Sequence, residues 1–420
     1  MVDILDDPDL IETVATMKKG RKRTVKVIDG GKEDGPSRTW GLVLDKEGRP
    51  EPCLYNAVEL LRQAHDWGPR FSYDDFSGKP IVDGKRLEES DELEITKWFQ
   101  RNWNWKFNAG TVVMATRSLG FERRHDALTD HVNACKWDLV PRVDHFWRYV
   151  TSEDTPHHRA AGRILLLSMA ARALYPGCKM DTMIILEGRQ GIKKSTAIQI
   201  LGGPFFSELL ATAGTKEAAE QVEGSWVMEV GELDAMNRAE LSAAKQFMSR
   251  LSDRFRRAYA RSVTDVLRRC VMVGTTNKGT YLRDETGGRR WLPIRCTEIL
   301  DMELRRDRDQ LIAEAVYRVR ACEPWWLVDT AEVEAAKEAV LERFEEDPWQ
   351  SKMAFMMAKR DILTVSECMD ALGMDVQHRG QAAANRISAV LVAAGWEKGQ
   401  RCVVGDSSKK ERCYRKSSGK

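Results

Sequence analysis

No apolar run in this 420-residue chain is long enough to cross a bilayer. Stretches such as ILLLSMAA at residues 164–171 fall well short of the roughly 20 residues a spanning helix needs. Paired cysteines are missing too. The nine cysteines are scattered singly, with no C-x-x-C and no histidine read at ligand spacing to them, so no zinc site is expected. An odd count without a secretory signal points to reduced thiols in a cytosol. The first residues, MVDILDDPDLIETV, are acidic and carry no apolar stretch of the signal-peptide kind. A large charge of one sign is likewise lacking. The formal net charge of +2 excludes a uniformly basic nucleic-acid coat, so any basic surface must be local. With 42% hydrophobic and 31% charged residues, the chain has the composition of a globular protein and not of a disordered one.

What is there changes character along the chain. A basic cluster, KKGRKR at residues 18–23, closes an N-terminal arm expected to be flexible. YNAVELLRQAHDW and LEITKWFQRNWNWKF carry apolar residues at helical spacing, and residues 159–175 read as a longer helix stopped by Pro176-Gly177. Then MIILEG, SWVMEVGEL, CVMVGTTN and WLPIRC alternate, as short β-rich runs, with helical segments. That alternation predicts an α/β fold with a parallel sheet covered on both faces. Helices return after about residue 297. The tail, two helices and a basic strand pair, suits a winged-helix module.

Candidate chemistry starts at LEGRQGIKKST. An apolar run leads into Gly188, Arg189, Gln190, Gly191, Ile192, Lys193, Lys194, Ser195 and Thr196, and a helix follows. This is close to G-x-x-x-x-G-K-[ST], with Lys193 where the second glycine belongs. Backbone amides at a helix start would cradle phosphates; Lys194 would neutralise them and Ser195 would hold Mg²⁺. If position 193 needs a positive φ, lysine costs about 1–2 kcal/mol there. Glu229 and Glu232 in SWVMEVGELDAM are the candidate carboxylates, one for the metal and one for the attacking water, in either assignment. Asn277, ending CVMVGTTN, would reach the same crevice. Arg289 and Arg290 in DETGGRRWLPI would stabilise transition-state charge from a neighbouring subunit. Arg254, Arg256, Arg257, Tyr259 and Arg261 interleave cations with aromatics, as a single-stranded DNA path requires. Each motif alone has an ordinary reading as a solvated turn or edge.

Together and in this order, LEGRQGIKKST, WVMEVGELDAM, SDRFRRAYAR, VGTTN and DETGGRRWLPI resemble the virulence-associated E family of phage and prophage proteins. KWDLVPRVDHFWRYV and ARALYPGCKMD also look like its blocks. The resemblance implies a P-loop NTPase core similar to superfamily 3 helicases and AAA+ proteins, and an ATP- and Mg²⁺-dependent DNA helicase or translocase of phage or mobile-element replication. It implies a homo-oligomeric ring, expected as a hexamer in the bacterial host cytosol, with a replication initiator or primase among its partners. The expected organisation is an arm at 1–24, a mixed N-terminal domain at 25–157, the ATPase core at 158–300, a helical lid or connector at 301–350, and a winged-helix-like module at 351–420. Two other readings stay open: a nucleotide-regulated DNA-binding protein with little turnover, and an ATPase serving packaging or defence.

Overall fold

A computed structural model describes residues 25–29, 39–150, 153–257, 262–282, 290–343, 348–402 and 411–416. The chain divides into two compact units, residues 1–127 and 128–420. The division falls inside the segment 25–157 expected as one domain.

In the first unit, strands β1 (Val25–Asp29) and β2 (Thr39–Val43) pair antiparallel. Helix α1 (Leu54–Gln63) follows, then β3 (Phe71–Asp74), β4 (Lys79–Val82) and β5 (Lys85–Arg86). Helices α2 (Glu89–Trp103) and α3 (Ala109–Phe121) precede β6 (Arg124–His125). The small sheet has the order β5-β4-β3-β6. Ala57, Leu60 and Leu61 of α1 recur at helical spacing and bury against Phe71, Phe99 and Val112, which fixes the inward face of α1.

The second unit is built on a five-stranded parallel sheet. It opens with helix α4 (Ala127–Ala134) and the long α5 (Pro156–Leu174), whose start is capped by the Thr155 side chain. Strand β7 (Met183–Glu187) leads to α6 (Lys194–Gly202), β8 (Phe206–Glu208), α7 (Lys216–Val222) and β9 (Val227–Val230). Then come α8 (Arg238–Met248), a hairpin of β10 (Ser252–Phe255) and β11 (Thr264–Leu267), β12 (Val271–Thr276) and β13 (Trp291–Arg295). The strand order is β13-β7-β12-β9-β8, all neighbours parallel. Strands β7, β9 and β12 are buried at every residue, as expected where helices cover both faces. On one face Met183, Ile185, Met228, Val230 and Met272 pack with Leu241 and Phe247 of α8. Helices α5 and α6 lie against the sheet as well, with α9 (Asp301–Arg320) packed on both.

After β7 the chain runs to the far edge of the sheet, whereas after β12 it crosses to the opposite edge. The carboxyl ends of β7 and β12 therefore flank a topological switch point, the crevice where ligands of such sheets bind.

Helix α10 (Thr330–Leu341) follows α9. The C-terminal part comprises α11 (Pro348–Lys359), β14 (Ile362–Thr364), α12 (Val365–Ala371), α13 (Gln381–Ala393), β15 (Trp396–Cys402) and β16 (Glu411–Lys416), with an antiparallel sheet ordered β14-β16-β15. Among the described residues seven cysteines are free thiols, but Cys413 on β16 is disulfide-bonded. The expectation of reduced thiols does not hold at Cys413. Among the described residues, no helix is long and apolar enough to cross a membrane.

Candidate functional site

The turn between β7 and α6, together with the first residues of α6, contains every residue of the candidate phosphate-binding loop. Its backbone is held in three left-handed or glycine-type conformations: Gly188 at φ 153°, Gly191 at φ 85° and Lys193 at φ 69°. Gly188 is required for space as well, since a Cβ there would lie 2.4 Å from the Cys296 carbonyl oxygen. Lys193 takes the left-handed conformation (φ 69°, ψ 30°) and is the residue just before α6. Its Nζ reaches Asp301 Oδ1 at 2.8 Å, at the first residue of α9. Arg189, Gln190 and Gly191 are exposed, and Ile192 and Thr196 are half-buried. The first amide groups of α6 lack intrahelical partners, so the turn ends in a positive dipole that favours anions.

Lys194 is buried, and its ammonium bridges the loop to a second strand. Nζ donates to the carbonyls of Gly188 (2.8 Å) and Arg189 (3.0 Å) and to Asn277 Oδ1 (3.0 Å), just past the end of β12. Burial holds its pKa below the ordinary lysine value, with the nearby Cys296, Glu229 and Asp234 pulling the other way. The next residue, Ser195, is exposed and donates from Oγ to Glu229 Oε1 at 2.7 Å. Thr275 of β12 donates to the same oxygen at 2.8 Å. The second oxygen, Oε2, is buried without a hydrogen-bond partner, and such an orphan calls for an explanation. A serine hydroxyl beside a carboxylate is a set of hard oxygen donors, which fits Mg²⁺.

The two candidate glutamates are not equivalent. Glu229 lies within β9, whereas Glu232 is exposed on the turn after it, at φ 52°. Asp234, two residues on, accepts from Thr276 Oγ1 at 3.0 Å and faces Lys278 at 3.6 Å.

The arginine candidates fall elsewhere. Register places Trp291 opposite Met183 and Arg295 opposite Glu187, so Arg290 stands at the amino end of β13. The loop lies past the other end of the sheet, roughly 20 Å away by strand rise. Arg290 therefore cannot serve the loop of its own chain. Arg289 lies outside the described residues, as do Tyr259 and Arg261. Arg254, Arg256 and Arg257 belong to the β10–β11 hairpin and its approach to the tip. Arg254 and Arg256 are exposed. Arg257, by contrast, is half-buried in an ion pair with Glu223.

Sequence reasoning missed the group beneath the loop. Glu187, the last residue of β7, is buried and accepts from Arg343 Nε at 2.8 Å and from Tyr281 Oη at 2.7 Å. It also left out Thr275, Asp234 and Asp301. Of these, Asp234 carried a signal, as the third acid of SWVMEVGELDAM; the others lie too far along the chain from their partners.

No curated protein matches the sequence. Among solved structures, the chain is similar to the apo C-terminal region of NrS-1, at 12% identity over 83% of this chain and 96% of that one, with a TM-score of 0.46. The A form of the same apo region matches over the same shares at 12% identity and a TM-score of 0.43. A family model, the virulence-associated protein E-like domain, matches residues 132–345. That match takes in the parallel sheet, the loop after β7, Glu229, Asn277 and Arg343, more than half of the chain: the protein belongs to the virulence-associated protein E-like family.

Proposed function

We propose that this chain is an ATP-dependent DNA helicase or translocase of phage or mobile-element replication, with a P-loop NTPase core of the superfamily 3 and AAA+ kind. It works in the host cytosol as a ring that hydrolyses ATP between subunits. The observation that carries this reading is the meeting of Lys194, Asn277, Ser195 and Glu229 at the carboxyl ends of adjacent parallel strands. Phosphoryl transfer asks a protein chiefly to position groups and balance charge, and these residues are of the types that do so.

In this reading Lys194 leaves its carbonyl partners for the β- and γ-phosphate oxygens. Ser195 and Glu229 would hold the metal, with the orphaned Glu229 oxygen as an additional donor. Mg²⁺, when bound, polarises the phosphate oxygens as a Lewis acid. Glu232, on the exposed turn, orients the attacking water, and Asn277 holds it in line. Arg290, remote from its own loop, serves the next subunit, and Arg289, its neighbour in sequence, is the second candidate for that role. The β10–β11 hairpin offers Arg254 and Arg256 to single-stranded DNA, while Arg257 is held by Glu223; Tyr259 and Arg261, outside the described residues, are read as belonging to the same path. Residues 351–420 are read as a winged-helix-like module.

A second reading, nucleotide-regulated DNA binding with little turnover, is favoured by Lys193, whose ion pair with Asp301 ties the loop to α9. ATP hydrolysis with and without single-stranded DNA, followed by strand displacement on a forked duplex, separates the two. DNA-stimulated turnover with unwinding supports the helicase. Tight binding of both ligands without turnover supports the switch.

A further inference from the structure

Apart from the nucleotide crevice, one cluster combines nitrogen, sulfur and oxygen donors. His131 lies in the last turn of α4 and Cys135 directly follows that helix, four residues on and so on the same side. Asp309 of α9 faces them. One donor atom from each of the three lies within 4.8 Å of the others. The i,i+4 spacing of His131 and Cys135 on one helix side is a ligand spacing that scattered single cysteines do not announce.

We propose that His131, Cys135 and Asp309 form a site for a borderline-soft divalent cation of the zinc class, joining the end of α4 to α9. The His131 ring is held edge-on by Phe205 and Trp226, with centroids at 5.5 Å and 6.3 Å. Its Nε2 is buried without a hydrogen-bond partner, so the ring is oriented but its polar edge is not satisfied. Zinc-to-ligand distances of about 2.0–2.3 Å put tetrahedral donors roughly 3.5 Å apart, so closure needs only side-chain adjustment. One imidazole, one thiolate and one carboxylate suit zinc or cobalt and not magnesium or calcium, which take oxygen ligands.

Arg308 donates to Asp309 Oδ1 at 2.8 Å, a second-sphere contact that fixes the carboxylate and leaves its other oxygen available. Its charge opposes a cation, and two negative ligands offset it once the Cys135 thiol has released its proton to solvent. Asp309 is exposed, so the cluster is reachable from solvent on that side. The segment that follows Cys135 is already fastened to α9. Gln310 bonds both the Lys136 carbonyl and the Asp138 amide, and Glu314 accepts from the Arg142 and Val143 amides. A metal ion would extend this seam to its first residue.

The test uses the full chain, stripped with a chelator and dialysed against Zn²⁺ or Co²⁺ without nucleotide. One equivalent of metal per chain is expected, with a cobalt–thiolate charge-transfer band. Cys135→Ser should abolish the band, and Asp309→Asn, an exposed and nearly isosteric change that leaves the fold intact, should weaken binding by at least about tenfold. Sub-stoichiometric binding, or binding unchanged in both variants, overturns the proposal.

Discussion

Lys193 stands in a backbone conformation that favours glycine, directly before the helix whose start forms the candidate phosphate site. Replacing it by alanine or by glycine removes the same ion pair with Asp301. Only glycine also removes the Cβ that the left-handed region penalises by about 1–2 kcal/mol. Lys193→Gly should therefore be more stable than Lys193→Ala by about 1 kcal/mol, read from chemical-denaturation midpoints. Equal midpoints would contradict the backbone assignment. Lys194, the next residue, is the one proposed to meet phosphate. Lys194→Ala should lower ATP turnover by about two to three orders of magnitude, the usual scale for deleting a group aimed at developing charge. Full activity in that variant would remove the nucleotide reading altogether.

The β10–β11 hairpin divides the arginine-rich stretch in a way its composition conceals. Arg268 is fully buried, pairs with Asp253 at 2.7 Å and stacks on Phe247. Arg269 donates to the Ala173 carbonyl at 2.7 Å. These arginines hold the hairpin on its core and are not available to a nucleic acid. Arg254 and Arg256 remain exposed. Arg254→Ala and Arg256→Ala should each weaken single-stranded DNA binding and lower the slope of log K against log salt by about 0.7 per lost phosphate contact. Arg257→Ala, which breaks the pair with Glu223, should lower thermal stability and leave the slope nearly unchanged. A salt slope that responds to Arg257 alone would reverse this assignment.

For the second unit as a whole, buried polar groups tie distant segments together and set its response to acid. Glu187, Arg343 and Tyr281 join the strand before the loop, the end of α10 and the segment after β12. Removing one partner of such a pair strands a buried charge, so Arg343→Ala should destabilise by roughly 3–5 kcal/mol. Replacing both Arg343 and Glu187 by apolar residues should cost much less, and equal losses in the single and double variants would refute the coupling. His157 of α5 packs against β13, with its Nε2 2.6 Å from the Pro293 carbonyl. Desolvation lowers its pKa from 6.5 to about 4. The unfolded chain then takes up a proton near pH 6.5 that the folded chain refuses until about pH 4. Stability is intact above the higher value and is lost as pH falls between the two, by roughly 3 kcal/mol from this group. His157→Gln should flatten that part of a stability–pH curve measured by denaturant titration.

The strands, the loop after β7 and the order of the motifs were legible from local pattern, because hydrophobic period, glycine placement and turn chemistry are properties of neighbouring residues. Family membership followed from the same local blocks. Folding alone brings Ser195 to Glu229, sets Arg290 at the wrong end of the sheet for its own loop, and buries Arg268 while leaving Arg254 outside. The same holds for Glu187 with Arg343 and for His131 with Asp309. Each of these pairings depends on which strand lies beside which, and that order comes from long connections whose course no short stretch of sequence encodes.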